Sequence, residues 1–284
     1  MEFDRRITPA REDLAALALK GKIEAQAYVE GVAKRAILGR VALRRAPSPT
    51  ASLETELLYG EGFIAFEEKN GWVWGQCGFD SYVGYVAAEA FGPAAAAPTH
   101  RVTAARSFVF PAADLKRPPR DVLPFNARLV VTGMEGDYAK LDDGGFVYAR
   151  HLAPQDARQT DFVGVAERFA GVPYLWGGKT PDGFDCSGLI QSALDACGIF
   201  APRDTDMQEK SLGVSVAIRA GFQGLKRGDL VFWKGHVGVM VDAGTLLHAN
   251  AHHMAVAREP LGEAAARIAA KGSPVTSVRR LVAA

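Results

Sequence analysis

The chain has 284 residues, and its 33 lysines and arginines nearly balance its 32 aspartates and glutamates. This balance gives no reason to expect a nucleic-acid groove or a polybasic membrane patch. Hydrophobic residues make up 48% of the chain, enough for a real core, which excludes a disordered protein. No apolar run approaches the roughly 20 residues of a membrane span, and the first residues lack the apolar run of a signal peptide. We therefore expect a soluble cytoplasmic protein with no nucleic-acid or membrane partner.

The three cysteines, Cys77, Cys186 and Cys197, are odd in number and show no C-x-x-C spacing. They indicate neither a disulfide framework nor a zinc ribbon. Cys197 falls on the apolar face of a predicted helix and Cys77 follows a strand pattern, so both are interpreted as structural.

Residues 1–28 predict a short helical segment, with Leu14 and Leu17 on one face. Residues 29–95 change to period 2 with frequent turn residues, a pattern typical of a small β-barrel. Within them, Trp72 and Trp74 share one strand face and serve either as core or as a ligand surface.

The run Gly92–Pro98 is a candidate linker, and residues 99–154 predict a second small β-barrel. The two β sets end alike, in Gly84-Tyr85-Val86 and Gly145-Phe146-Val147, and we interpret them as a duplicated module.

Residues 158–284 form the third predicted domain, with helices near 162–169 and 263–270 and β runs at 229–233, 236–241, 245–249 and 275–281. A cysteine-bearing helix followed by an antiparallel sheet carrying histidines is α+β in class.

The central motif of this domain is a glycine-rich loop, Pro173–Gly178, followed by Phe184-Asp185-Cys186-Ser187-Gly188. Leu189 to Cys197 has the apolar spacing of a helix, with Gly198 as its stop and Asp185 or Ser187 as its N-terminal cap. Cys186 is thus predicted at the helix start, where the helix dipole would lower the pKa of the thiol. This is the expected position of a nucleophile.

A thiol nucleophile needs a base, and the base needs an orienting group. His236 opens one predicted strand and His248 lies in the return strand, with Asp242-Ala243-Gly244 between them. A three-residue hairpin loop would place both histidines on one sheet face, and a two-residue loop would separate them. The sequence favours the three-residue loop. His236 is then the base and His248 its orienting partner, while the backbone N–H of Cys186 and the hydroxyl of Tyr174 would meet the oxyanion.

These motifs, together with Pro202-Arg-Asp-Thr-Asp-Met-Gln208, resemble the NlpC/P60 cysteine peptidases of bacterial cell-wall metabolism. The resemblance implies a papain-like catalytic domain preceded by two SH3-like β-barrels, with no cofactor. It also implies the activity of the γ-D-glutamyl-L-diamino-acid endopeptidases, which act on peptidoglycan stem peptides with a free N-terminal L-Ala in murein recycling. Whether the diamino acid is diaminopimelate or lysine stays open, as does the oligomeric state.

The resemblance also implies several substrate-binding residues. In this sequence they are Asp185, Ser187, Asp204, Thr205, Tyr82 and Glu61. The alternative role for Asp204 is structural, as the cap of a loop.

Two other classes of function remain open from the sequence: a wall-binding protein with an inactive catalytic domain, and an amidase or acyltransferase on the same scaffold. A metal set of His248, His252 and His253 would need a helix, and no H-E-x-x-H motif accompanies them. We therefore expect no metal.

Overall fold

The computed structural model describes residues 3–94 and 96–281. Contacts divide the chain into two compact units, Met1–Ala157 and Arg158–Ala284. The division coincides with the predicted start of the third domain at residue 158. Among the described residues, no helix is both long enough and apolar enough to cross a membrane.

The prediction of a helical segment before residue 29 was wrong. Leu14–Ala16 forms strand β1, which pairs in parallel with β2, Ala27–Val29, and the only helical piece between them is a three-residue 3-10 turn at Leu17–Leu19. No side chain caps that turn, and Gly21 follows with φ +80°. A helical pattern this short cannot offset the cost of helix nucleation, so the segment pairs as a strand instead.

The first β set is one antiparallel sheet of seven strands in the order β5-β4-β8-β7-β6-β3-β9. Its strands are β3 Val32–Ala36, β4 Arg40–Arg44, β5 Leu53–Leu58, β6 Gly62–Lys69, β7 Trp72–Cys77, β8 Val83–Ala87 and β9 Phe91–Pro93. Alternating inward residues, including Leu43, Phe63, Val73 and Cys77, form its core.

Of the two tryptophans on β7, Trp74 is buried beneath Arg11, whose guanidinium carbon lies 4.4 Å from the ring centre. Trp72 is half-buried, and both rings border a cavity of about 500 Å³. Trp74 therefore belongs to the packed interior, whereas Trp72 keeps part of its surface open.

The second β set consists of three small antiparallel sheets. Its strands are β10 His100–Val102, β11 Arg106–Val109, β12 Asp121–Pro124, β13 Arg128–Leu129, β14 Val131–Glu135, β15 Tyr138–Leu141, β16 Phe146–Tyr148 and β17 Leu152–Pro154. It has a core of its own, formed around Val102, Leu123, Leu129 and Val147. Both sets end on a strand, a three-residue 3-10 turn and a short final strand, with the turns at Ala88–Ala90 and Ala149–His151.

The second unit is α+β, as predicted. Its helices are α1 Phe162–Glu167, α2 Cys186–Ala196, α3 Thr205–Ser211 and α4 Leu261–Ala269. Its strands are β18 Lys179–Thr180, β19 Gly183–Phe184, β20 Val214–Ser215, β21 Asp229–Trp233, β22 His236–Met240, β23 Thr245–Asn250, β24 Ala255–Pro260 and β25 Val275–Arg280. A two-stranded ribbon, β18-β19, precedes a six-stranded antiparallel sheet in the order β20-β25-β21-β22-β23-β24.

Strand β21 is buried along its whole length in the middle of this sheet. Its Trp233 packs with Met240, Leu246 and the apolar side of α4 in one core cluster. The sheet and α4 thus form a packed base for the polar side chains of β22, β23 and β24.

Candidate active site

Helix α2 begins at Cys186, three residues before the predicted stretch, and Asp185 is its N-cap. The Asp185 carboxylate accepts a 2.7 Å hydrogen bond from the backbone N–H of Gly188, as predicted for one of the two candidate caps. At the other end, Gly198 adopts φ +74° directly after the helix, the expected stop. Cys186 is therefore held in the first helical turn.

Asp185 has a second partner, Arg203, which sequence reasoning missed. The Arg203 guanidinium is 1% exposed and binds both carboxylate oxygens of Asp185, at 2.6 and 3.0 Å. It also donates to the hydroxyl of Ser187 at 2.9 Å. A forked guanidinium suits this bidentate pairing, so Arg203 fixes both residues that flank the cysteine.

Cys186 is buried, and its thiol lies 3.7 Å from the hydroxyl of Thr205. The pKa of this thiol is raised to about 11, mainly by burial and also by the charge of Asp185, while hydrogen bonds from Thr205 and the backbone N–H of Val237 oppose the shift. The expectation that the helix dipole would lower this pKa was wrong in direction, because desolvation of the anion outweighs the dipole. The bond from Val237 places the sulfur beside the start of β22.

The hairpin of β22 and β23 has the predicted three-residue loop. Val239 pairs with Leu247 and Met240 with Leu246, and the backbone N–H of Val241 donates to the carbonyl of Thr245. Residues of equal parity therefore share a face on the two strands. His236 and His248 lie on the same face, with Nε2 of His236 2.8 Å from Nδ1 of His248.

Gly238 lies between the two histidines on the same face. A Cβ at this position would lie 3.1 Å from Cβ of His248 and 2.7 Å from Cδ1 of Leu246. The missing side chain therefore gives His248 the space to approach His236.

The next strand adds a carboxylate that sequence reasoning did not single out. Glu259 on β24 pairs with Leu246 in the register, which puts it on the face of His248. Its Oε1 lies 2.7 Å from Nε2 of His248, and Arg267 on α4 holds both of its oxygens at 2.6 Å. Burial acts to raise the pKa of Glu259, but the bonds from Arg267 and His248 hold it at about 2. Glu259 is a carboxylate at neutral pH.

This carboxylate determines which nitrogens carry protons. Because Glu259 only accepts, Nε2 of His248 donates to it, and Nδ1 of a neutral His248 is left as an acceptor. His236 must then donate from Nε2 to that acceptor, which leaves its own Nδ1 with a free lone pair. The relay of Glu259, His248 and His236 thus presents a basic nitrogen of His236.

Both imidazoles are neutral over a wide pH range. The pKa of His236 is lowered to about 3, mainly by burial and also by the charges of His248 and Arg267, while the charge of Glu259 opposes the shift. Burial also lowers the pKa of His248 to about 4, although Glu259 opposes this shift. The thiol, which accepts a hydrogen bond from the backbone N–H of Val237, and both imidazoles of the relay are thus uncharged at neutral pH.

Comparison with known protein families gives two matches. Residues 171–267, which span Cys186, both histidines and Glu259, match the NlpC/P60 family, and residues 43–91 match the bacterial dipeptidyl-peptidase SH3 domain. The chain contains an NlpC/P60 domain and a bacterial SH3 domain.

Curated relatives of the NlpC/P60 domain include three Bacillus proteins. The γ-DL-glutamyl hydrolase of Bacillus subtilis is 37% identical over 38% of this chain and 27% of its own length. Two γ-D-glutamyl-L-lysine dipeptidyl-peptidases, from Bacillus cereus and Bacillus subtilis, are 30% and 38% identical over 47% and 34% of this chain. These matches cover 41% and 34% of those two relatives, so the chain spans less than half the length of each.

The fold has relatives among solved structures. An NlpC/P60 family protein from Bacillus cereus superimposes with a TM-score of 0.74 at 20% identity, covering 88% of this chain and all of that one. An NlpC/P60 endopeptidase from Photobacterium damselae gives a TM-score of 0.57 at 14% identity, covering 89% of this chain and 72% of that one. At these identities the likeness shows the fold alone.

Tyr174, the predicted oxyanion residue, lies near the thiol in the NlpC/P60 domain. Burial raises the pKa of its hydroxyl, and the neighbouring charges of Cys186 and Asp185 raise it further. The phenol is therefore protonated at neutral pH and has a hydrogen to donate.

The predicted substrate-binding residues occupy different settings. Ser187 and Thr205 are buried around Cys186, and Asp204 occupies the N-cap position of α3 without capping it through its side chain. In the first unit, Tyr82 and Glu61 are each 3% exposed; Tyr82 belongs to the core of the first β set, and Glu61 accepts from the backbone N–H of Leu58. Substrate contacts of all these residues stay predictions.

His248, His253 and Glu259 bring three potential metal-ligand atoms within 4.8 Å of one another. Both oxygens of Glu259 already bind Arg267, whose positive charge would repel a cation at that point. The cluster is therefore better suited to proton positioning than to metal binding.

Proposed function

We propose that the chain is a cysteine peptidase that hydrolyses the bond between γ-D-glutamate and the L-diamino acid in peptidoglycan stem peptides. The observation that carries the proposal is Cys186 at the start of α2, with its sulfur accepting a hydrogen bond from the backbone N–H of Val237, the residue that follows His236 of the relay. This arrangement has the nucleophile, base and orienting groups of acyl transfer.

In the proposed reaction, the Cys186 thiol transfers its proton to Nδ1 of His236 as the sulfur attacks the γ-carbonyl carbon. The backbone N–H of Cys186 at the helix start and the Tyr174 hydroxyl stabilise the resulting oxyanion. His236 then returns the proton to the leaving amine, and a thioester remains on Cys186. Water, deprotonated by the same imidazole, hydrolyses that thioester and restores the thiol.

The thiol pKa is high and the imidazole pKa is low, so the resting site is a neutral thiol with a neutral imidazole and not an ion pair. These values support a proton transfer that occurs during the attack. The proton moves when the carbonyl arrives, and Glu259 stabilises the charge that then spreads over the two imidazoles.

The names of the relatives support the substrate class. Two of them are γ-D-glutamyl-L-lysine dipeptidyl-peptidases, a name that describes release of a dipeptide from a free amino end. We therefore propose that the substrate has a free N-terminal L-Ala and that the chain acts in the recycling of released stem peptides.

We also propose that residues 99–154 form a second SH3-like module. Two features support this: the core of its own, and the ending that it shares with the first set, of strand, 3-10 turn and strand.

The test is incubation of the full chain with L-Ala-γ-D-Glu-L-Lys, L-Ala-γ-D-Glu-diaminopimelate and their N-acetylated forms. Release of L-Ala-D-Glu from the free-amine peptides alone is the expected result. Cleavage of the acetylated forms at equal rates would contradict the requirement for a free amine. Binding of the peptides without turnover would instead support the wall-binding alternative.

A further inference from the structure

A cavity of about 150 Å³ opens beside His236 in the second unit. One wall is the relay face of β22 and β23. The other is the last turn of α4 and the second residue beyond its end, with Arg267, Ile268 and Lys271. His252 also lines it. The cavity is therefore lined both by His236, the base of the proposed reaction, and by the cationic side chains Arg267 and Lys271.

The two cations of this wall differ in their partners. Arg267 binds both oxygens of Glu259, so its charge is already paired. Lys271 is exposed, and its ammonium has no ion-pair partner among residues 3–94 and 96–281. The residues that line the cavity include no carboxylate. The space next to His236 thus has an uncompensated positive charge.

The geometry of acyl transfer determines what enters this space. The imidazole that takes the thiol proton must reach the leaving nitrogen to return it, within about 3 Å. The leaving residue therefore lies against His236 and its neighbours. In a γ-glutamyl-diamino-acid peptide, this residue has a carboxyl group on the carbon next to the leaving nitrogen, and diaminopimelate has another at its far end.

We propose that this cavity is the leaving-group subsite and that Lys271 binds a carboxylate of the departing diamino acid. The inference rests on the proposed function and adds to it the chemistry that the site selects on the leaving side. A lysine ammonium beside a partly desolvated carboxylate makes a charge-assisted hydrogen bond, which a neutral amide in the same place cannot replace.

Three tripeptides distinguish the two possible carboxylates. On the diamino acid, L-Ala-γ-D-Glu-L-Lys has only the α-carboxylate, and its C-terminal amide has no carboxylate. The diaminopimelate tripeptide with an amidated α-carboxyl has only the distal carboxylate on that residue. We expect the native chain to prefer one of the two acids over the amide by about tenfold in kcat/KM, the scale of one charge-assisted hydrogen bond. The preferred acid identifies the carboxylate that binds.

Lys271→Gln should reduce this acid-over-amide preference to near unity, and Lys271→Arg should keep most of it. Lys226→Gln, at an exposed lysine outside the cavity, is the matched control and should keep the native preference. A preference that survives Lys271→Gln unchanged, or a native chain that cleaves acid and amide equally well, would overturn the proposal.

Calorimetric titration of Cys186→Ala with the same peptides measures the contact without turnover. Tighter binding of the acid that depends on Lys271 supports the subsite even if no peptide is cleaved. Equal affinity for acid and amide, in a native chain that does cleave the peptides, contradicts the subsite and leaves the proposed peptidase intact.

Discussion

Oε1 of Glu259 lies 2.7 Å from Nε2 of His248, so a carboxylate terminates the imidazole relay. Arg267 of α4 holds the same carboxylate, so this helix contributes to the charge distribution around the relay. The relay crosses three neighbouring strands, β22, β23 and β24, on one face of the sheet.

Glu259→Gln tests the role of this carboxylate in selecting the tautomer. The amide keeps the shape but can donate to His248, which allows the opposite tautomer of both imidazoles. We expect kcat to fall by about 100-fold, within the range of general acid–base catalysis, with a smaller change in KM. Nitrogen-15 NMR of the histidines should show Nδ1 of His236 unprotonated in the native chain and a mixture in the variant.

Glu263→Gln, at an exposed position in the first turn of α4, is the matched control and should keep native kcat. Native kcat and unchanged imidazole spectra in Glu259→Gln would show that the carboxylate only supports the structure.

The second prediction concerns the resting protonation of the thiol. With a Cys186 pKa of about 11, thiolate absorbance near 240 nm should be absent at neutral pH and rise only in alkaline solution. The difference spectrum between the native chain and Cys186→Ser isolates this group from Cys77 and Cys197. A titration step below pH 6 would instead indicate a resting thiolate–imidazolium pair.

The third prediction is a loss of stability in acid. Folded His236 and His248 have pKa values of about 3 and 4, below the ordinary 6.5, so between these limits the unfolded chain binds protons that the folded chain does not. Glu259, with its pKa lowered to about 2, acts in the same direction below pH 4.5. The free energy of unfolding, measured by urea unfolding, should therefore keep the whole contribution of these groups above pH 6.5 and decline toward pH 4. A constant or rising value on acidification would contradict the buried neutral relay.

The fourth prediction is that Gly238→Ala disturbs the relay. The new methyl group would meet Cβ of His248 and the Leu246 side chain, so one of them must move. We expect a loss of about 1–3 kcal/mol in unfolding free energy, the usual effect of overpacking, together with lower kcat. Gly262→Ala on α4 meets no atom within 4 Å and should keep both. Native kcat in Gly238→Ala would show that the imidazoles tolerate displacement.

Much of the site could be predicted because its signals are local. Cys186 follows a capping aspartate and a glycine loop, and a three-residue turn fixes the shared face of His236 and His248. Glu259 and Arg267 gave no such signal. The strand Ala255–Pro260 lacks clean alternation, and the contact with His248 depends on which strand lies next to β23 and on how α4 packs.

The wrong prediction of the thiol pKa and the missed role of Arg203 also come from contacts that only the folded chain makes. The thiol pKa was predicted from the helix dipole alone, whereas burial, which only the folded packing determines, has the larger effect. Likewise, Arg203 stands in a recognisable motif, yet its role follows from its contact with Asp185, 18 positions away in the chain.

The most direct test of the central claim is turnover of L-Ala-γ-D-Glu-L-Lys by Cys186→Ala, compared with Cys197→Ala, which alters the cysteine at the other end of the same helix. Both variants should fold, as judged by circular dichroism and melting temperature. The account predicts no detectable L-Ala-D-Glu from Cys186→Ala and near-native release from Cys197→Ala. Undiminished release from a folded Cys186→Ala would contradict it.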